Sequence, residues 1–293
     1  MNRRALLGSA LWLALGCARG ERGAGLAHAA GPRRVGALAD LERAHGGRLG
    51  VAALDTGSGR RIEHRADERF PFCSTCKTLA VAATLQRVDL QREQLARQIA
   101  YTSADLLDHA PVAAANVARG AMTIAELCKA AIEVSDNTAA NLLFREAGGL
   151  GAINDYLRSI GDSTTRMDRT EPALNTAIAG DPRDTTSPRA IVGDLDKLFL
   201  GDALSAASRD QLTAWHLATS TGKARLRAGL PAAWKLGHKT GTGAHGATND
   251  IGVTWPPDRR PVLLAVYYVD STADLAAREA VIASAARIVA AAL

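Results

Sequence analysis

With 293 residues, 47% of them hydrophobic, the chain is long enough to bury one sizeable core, in a single body of one or two lobes. Its formal net charge of +5 is largely a property of the N-terminus, where Arg3, Arg4, Arg19 and Arg22 against Glu21 leave only +2 for the remainder. That small charge, with no basic stripe and no interleaved aromatics, excludes nucleic acid as an expected partner.

Residues 1–29 read as an export signal. Asn2-Arg3-Arg4 precedes an apolar run from Ala5 to Ala18, and Ala27-His28-Ala29 supplies an A-x-A cleavage pattern. The Arg3-Arg4 pair points to the twin-arginine route, and lipoprotein processing at Cys17 is the alternative. The apolar run falls short of the roughly 20 residues a membrane span needs. The expected mature protein is therefore 30–293, periplasmic or secreted.

Along the mature chain, Val35, Leu38 and Leu41 mark a first amphipathic helix, ended by Gly46-Gly47. A strand is predicted over 49–55, a turn at Thr56-Gly57-Ser58-Gly59 and a return strand over 60–65. Phe70-Pro71-Phe72 leads into Cys73-Ser74-Thr75-Cys76-Lys77 and an apolar run, 78–85, in which Leu79, Val81, Ala82 and Leu85 recur at helical spacing. Further helices are predicted over 123–134, 137–147, 150–160, 188–200 and 206–218. Between Gly161 and Thr186 lies a long aperiodic segment rich in Asp, Arg, Thr and Pro, and loops of that length inside a compact body are usually functional. Strands return over 233–240, 246–255 and 261–269, and a helix over 272–292 closes the chain. Strands at both ends with helices between imply an α+β fold whose termini share one sheet. The sheet lobe is expected over about 33–70 plus 219–293, and the helical lobe over about 71–218.

An exported chain meets an oxidising compartment. Cys73, Cys76 and Cys128 remain once Cys17 leaves with the signal, an odd number. Cys73 and Cys76 lie three apart on one helical turn, too constrained for a comfortable pair, and pairing of either with Cys128 stays open on spacing alone. With the histidines scattered, no zinc site is expected.

Four short stretches carry the chemistry. Ser74 and Lys77 are three apart on one helix face, so hydroxyl and amine project together. Ser135-Asp136-Asn137 joins two predicted helices and can aim side chains into a cleft, although it would also serve as a helix cap. Lys239-Thr240-Gly241-Thr242-Gly243 ends a strand with a cation, two hydroxyls and glycines that permit close backbone approach. Glu171-Pro172-Ala173-Leu174-Asn175 lies in the long loop. Each has an ordinary structural reading; their order along the chain does not.

With these motifs the chain resembles the class A serine β-lactamases, which share S-x-x-K, S-D-N and K-T-G with penicillin-binding proteins. The resemblance spans the mature chain and includes Arg169-Thr170-Glu171-Pro172-Ala173-Leu174-Asn175 and Arg183-Asp184-Thr185-Thr186, the part that separates these hydrolases from transpeptidases and carboxypeptidases. It implies a helical lobe beside a five-stranded antiparallel sheet flanked by terminal helices. It implies hydrolysis of penicillins and cephalosporins by a monomer without cofactor, metal or obligate partner. Ser74 would be the nucleophile, its proton taken by Lys77 or by Glu171 through a water, Ser135 a proton relay to the departing nitrogen, and Glu171 the base for the deacylating water, which Asn175 helps to hold. Asn137 would bind the substrate's side-chain amide, and Lys239, Thr240 and Thr242 its carboxylate. The backbone N–H groups of Ser74 and Thr242 would form the oxyanion hole, with Gly241 between the motif's hydroxyls. An Arg169–Asp184 pair and a cis Glu171-Pro172 bond are expected in the loop. Non-hydrolysing sensor domains and D-Ala-D-Ala peptidases are the alternatives in the same superfamily.

Where many members place an arginine on the strand after K-T-G, this chain has Thr248, and Arg225 supplies the charge, as in a subgroup that includes carbapenem-hydrolysing members. The family's disulfide-partner positions for Cys73 and Cys128 hold Gly243 and Val81, so no disulfide is implied at either. His109 replaces the aromatic at the cleft edge.

Overall fold

The computed structural model describes residues 32–293, and the expected export signal lies outside the described residues. The chain opens with α1 (Pro32–His45), β1 (Arg48–Asp55) and β2 (Arg61–His64). It continues through β3 (Phe70–Pro71), a 3₁₀ turn at Cys73–Cys76, α2 (Lys77–Asp89), β4 (Gln98–Ala100), α3 (Pro111–Asn116) and β5 (Ala121–Thr123). Next come α4 (Ile124–Glu133), α5 (Asn137–Glu146), α6 (Leu150–Ser159), β6 (Thr185–Thr186), α7 (Pro188–Phe199) and α8 (Ala206–Leu217). The chain ends with α9 (Leu226–Gly229), β7 (Lys235–Thr242), β8 (Thr248–Trp255), β9 (Val262–Val269) and α10 (Leu275–Ala292).

The antiparallel sheet has the order β2-β1-β9-β8-β7, so the first and last thirds of the chain meet at β1 and β9. Every residue of β9 is buried, as a central strand covered on both faces requires. On one face Leu49, Val51, Leu264, Val266 and Tyr268 pack with Leu38 of α1 and Val281, Ile282, Ala285 and Val289 of α10. On the other face Ala52, Ala265 and Tyr267 join the larger core built around α2, α4, α5 and α7. Helix starts follow side-chain caps: Thr123 and Glu126 form a capping box on α4, Ser187 caps α7 ahead of Pro188, and Asp274 caps α10.

Several boundaries differ from the sequence reading for tertiary reasons. β7 runs through Thr242 rather than stopping at Thr240, because Gly241 and Thr242 keep pairing with Asn249 and Thr248. Helix α10 starts at Leu275, where Asp274 caps it, and not at 272. The β4–β5 and β3–β6 pairings and the short α3 are too brief to leave a periodic signal in the sequence.

Candidate active site

Ser74 lies in the Cys73–Cys76 3₁₀ turn and Lys77 is the first residue of α2, so the turn delivers both side chains to one point. Ser74 does not cap the helix; Oγ donates instead to Glu171 Oε1 at 3.0 Å. The same oxygen is 2.9 Å from Lys77 Nζ, in an ion pair fully shielded from solvent. Lys77 also donates to Ser135 O at 2.8 Å and to Asn137 Oδ1 at 2.7 Å.

The turn between α4 and α5 serves both readings of its motif. Asp136 caps α5 through Ala139 N, while Ser135, at φ +60°, and Asn137 line the cleft. Ser135 Oγ accepts from Lys239 Nζ at 2.9 Å and from Lys77 Nζ at 3.3 Å. Two lysine Nζ donors occupy its lone pairs, which leaves its own proton directed elsewhere. Burial, then the charge of Lys77, pulls Lys239 well below the usual amine range.

Glu171 comes from the long loop, next to a cis Glu171-Pro172 bond. Its second oxygen accepts from Asn175 Nδ2 at 2.5 Å, and its backbone is fixed by Asn141, whose amide accepts from Glu171 N and donates to Glu171 O. Asn175 Oδ1 is buried with no protein partner. The expected Arg169–Asp184 pair is present at 2.5 Å, and Asp184 also accepts from the backbone N–H groups of Asp168 and Arg169.

The edge strand β7 passes close to the nucleophile's turn. A Cβ added to Gly241 would lie 2.7 Å from Phe72 O and 3.2 Å from Ser74 N, so only glycine allows this approach. Arg225, nearly buried, donates to Gly241 O, Asn249 O and Thr242 Oγ1, each within 2.9 Å, and pairs with Glu279 of α10 at 3.0 Å. Thr248 is buried on β8 and presents no charge. Ser74, Ser135, Asn137, Asn175, Arg225, Thr240 and Thr242 thus share the walls of a cleft of about 320 Å³, with His109 at its rim. A larger hollow of about 410 Å³ lies behind residues 177–183 and contains none of these groups.

The structure brings together every site residue expected from the sequence. It adds three that the motifs did not expose: Asn141, Thr221 and Glu279. Asn141 is four residues from Asn137 on one helix face, a spacing that carried the signal. Thr221, which meets Thr240 Oγ1 at 2.8 Å, and Glu279 are brought in by tertiary contact alone. Cys73, Cys76 and Cys128 are buried free thiols. Burial, reinforced by the Glu171 charge, pushes Cys73 up to about 12, and a Cβ at Gly243 would meet its Sγ at 2.7 Å.

The arrangement can activate a hydroxyl, hold an anion beside it and fix a carboxylate where a water would attack. A family model described as the β-lactamase enzyme family matches residues 34–293. A β-lactamase of Streptomyces fradiae is 50% identical over 100% of this chain and 97% of its own length. The β-lactamase CTX-M-8 of Citrobacter amalonaticus is 47% identical, covering 86% of each chain. A solved structure of the class A β-lactamase of the last common ancestor of Gram-negative bacteria is 59% identical, with a TM-score of 0.87 over 88% of this chain and 98% of that one.

Proposed function

The chain belongs to the class A β-lactamase family and hydrolyses β-lactams, and we propose that Ser74, Lys77, Ser135 and Glu171 carry the reaction. One observation bears most of the weight: the Ser74 hydroxyl and the Lys77 amine converge on a single oxygen of Glu171. In the free enzyme Glu171 is the hydroxyl's acceptor, so it takes the serine proton as Ser74 attacks the β-lactam carbonyl. Backbone N–H groups of Ser74 and Thr242 receive the oxyanion, each worth about 2.7–4 kcal/mol in the transition state. The proximity of Gly241 to Ser74 N supports this pairing of strand and turn. Ser135, its lone pairs held by two lysines, passes its proton to the departing ring nitrogen and is reprotonated by Lys77, which recovers the serine proton from Glu171 and leaves Glu171 a carboxylate for the next step.

The ester that results must be hydrolysed. Glu171, held by Asn175 through one side-chain oxygen and by Asn141 through its backbone, is placed to deprotonate the attacking water. Lys239, held against Ser135, and Thr240, Thr242 and Arg225 surround the position for the substrate carboxylate, with Gly241 closing the strand behind it. Asn137 Oδ1 is taken by Lys77 and one amide proton by Asp108 O, which leaves its second amide proton for the substrate's side chain.

Time-resolved intact-mass spectrometry with a penicillin tests the scheme. Wild type should show a transient adduct, Ser74→Ala none, and Glu171→Ala a persistent one. Equal turnover by wild type and Ser74→Ala would overturn it.

Three finer readings accompany this proposal. We propose that Arg225 reads the carboxylate from the segment before β7, as in the subgroup the sequence resembles, a reading supported by its contacts with Thr242 and by the uncharged Thr248. Arg225→Ala should raise KM more than it lowers kcat; an unchanged KM refutes it. Export to the periplasm or medium is supported by the Arg3-Arg4, apolar-run and Ala27-His28-Ala29 pattern. A mature mass beginning after Ala29 would confirm it, and a lipid on Cys17 would redirect it. A monomer suffices because one chain supplies all the site groups, and light scattering measures that mass.

A further inference from the structure

A buried ion pair sits beside Lys239 and takes no part in the scheme above. His238, the preceding residue of β7, places Nδ1 2.9 Å from Asp250 Oδ1 and 3.0 Å from its Oδ2. Asp250 lies on β8, paired in register with Thr240, and both side chains of the ion pair are buried. Asp250 Oδ2 also accepts from Leu226 N at 3.1 Å. With that backbone N–H already donating, the acceptor-only carboxylate makes Nδ1 the hydrogen-bearing nitrogen of His238. One carboxylate thus joins β7, β8 and the residue that follows Arg225.

Residues 219–225, between α8 and α9, belong to no helix or strand, and contacts with β7 set their place. Thr219 Oγ1 donates to His238 O at 2.8 Å, and Thr221 Oγ1 meets Thr240 Oγ1 at 2.8 Å. Gly222, at φ +70°, lies so close that an added Cβ would come within 2.4 Å of Thr240 Cγ2 and 3.2 Å of His238 Cε1. Arg225 then reaches Gly241 O, Asn249 O and Thr242 Oγ1. Side chains alternate along a strand, so His238, Thr240 and Thr242 stand in a row on one face of β7, under this segment. Desolvating a carboxylate is costly, and a buried ion pair is weak evidence for stability. What this pair supplies is a fixed position for a segment without regular structure, and that segment carries Thr221 and Arg225.

We propose that His238 and Asp250 are positioning residues for recognition of the substrate carboxylate: the pair anchors residues 219–226 on β7 and β8 and so aims the Arg225 guanidinium and the Thr221 hydroxyl. This rests on the carboxylate-binding role given to Arg225, Thr240 and Thr242 above. Neither His238 nor Asp250 is part of the cleft wall, so both act through the neighbours they place. Loss of the Nδ1 hydrogen bond therefore weakens binding of the acid and spares the chemistry at Ser74.

The test offers a penicillin and its carboxyl methyl ester to wild type, His238→Phe and His238→Asn. Phenylalanine keeps a ring and lacks the donor; asparagine brings an amide N–H close to the position of Nδ1. In His238→Phe the acid-to-ester ratio of kcat/KM should fall about fivefold, through a higher KM for the acid with kcat nearly kept. His238→Asn should restore the ratio to within about twofold of wild type. Hydrogen exchange read by mass spectrometry should be faster over residues 219–226 in His238→Phe and at the wild-type rate in His238→Asn. In an Arg225→Ala background His238→Phe should lower the ratio little further, because both changes act on the same contact. A folded His238→Phe enzyme with the wild-type ratio, or one that loses acid and ester turnover equally, overturns the proposal. Should His238→Phe fail to fold, Asp250→Asn, which keeps the size and loses one acceptor, carries the same expectations and the same refutation. An unchanged ratio in Arg225→Ala strikes the carboxylate reading of Arg225 itself, while the exchange profile still decides whether the pair holds the segment.

Discussion

Glu171 is held by its backbone as firmly as by its side chain. Asn141 reaches across from α5 to accept from its N–H at 2.9 Å and donate to its carbonyl at 2.8 Å. Truncating Asn141 to alanine leaves two backbone groups unmet, at about 1–3 kcal/mol each. Even part of that loss, expressed as misplacement of the carboxylate, corresponds to roughly 10-fold slower deacylation. Asn141→Ala should therefore accumulate the penicilloyl adduct while acylating at close to the wild-type rate. Uniform loss of both rates would show that Asn141 supports the fold rather than the base. Local pattern reading finds Ser74, Lys77, Ser135 and Lys239 because each sits in a short motif. It passes over Asn141, which belongs to no motif and reaches the Glu171 backbone only in the folded chain.

The packing of α8 against α2 is a feature of elements, and it carries a titratable group. His216 of α8 is buried, with Nε2 2.9 Å from Thr78 Oγ1 of α2 and Nδ1 2.8 Å from Leu212 O. Burial pulls it from 6.5 down to about 3. The folded state thus refuses a proton that the unfolded chain accepts, so stability is complete above about 6.5 and is lost as pH falls toward about 3. Across that window the loss is on the order of 5 kcal/mol. Melting curves should show wild type losing stability from pH 7 to pH 4 more steeply than His216→Gln, and parallel slopes would exclude His216 as the cause. The approach of β7 to the nucleophile's turn makes a second prediction. The Cβ of Gly241→Ala would press on the Phe72 carbonyl, a backbone atom that cannot swing aside. Overpacking of this kind costs about 1–3 kcal/mol. The variant should lose acylation rate together with stability, and retention of full acylation would show that the strand can shift without disturbing Ser74.

Across the whole molecule, the sheet is closed by segments far apart in the chain. β1 pairs with β9 over its full length, and α1 and α10 together cover the outer face. Removal of α10 would expose Leu49, Val51, Leu264, Val266 and Tyr268, each worth about 1.5–3 kcal/mol of burial. Summed over the face that is about 7.5–15 kcal/mol, as large as the roughly 5–15 kcal/mol by which whole domains are commonly stable. A chain ending at residue 274 should lose its cooperative melting transition, measured by circular dichroism; a retained transition would show that the outer face tolerates exposure.

Long elements and short motifs were readable from order along the chain, because helical period, caps and turn glycines act between neighbours. The α+β class, the long loop and the four motif stretches all belong there. Three things required the folded molecule. The end of β7 at Thr242 is set by pairing with β8, not by the glycines that punctuate it. Arg225 gains its place only when Glu279 of α10 and Thr242 of β7 come to flank it. And the meeting of Glu171 with Lys77, 94 residues earlier, exists only because the long loop is drawn over the start of α2. Sequence records which charges a chain owns; which of them meet is decided when folding removes the water between them.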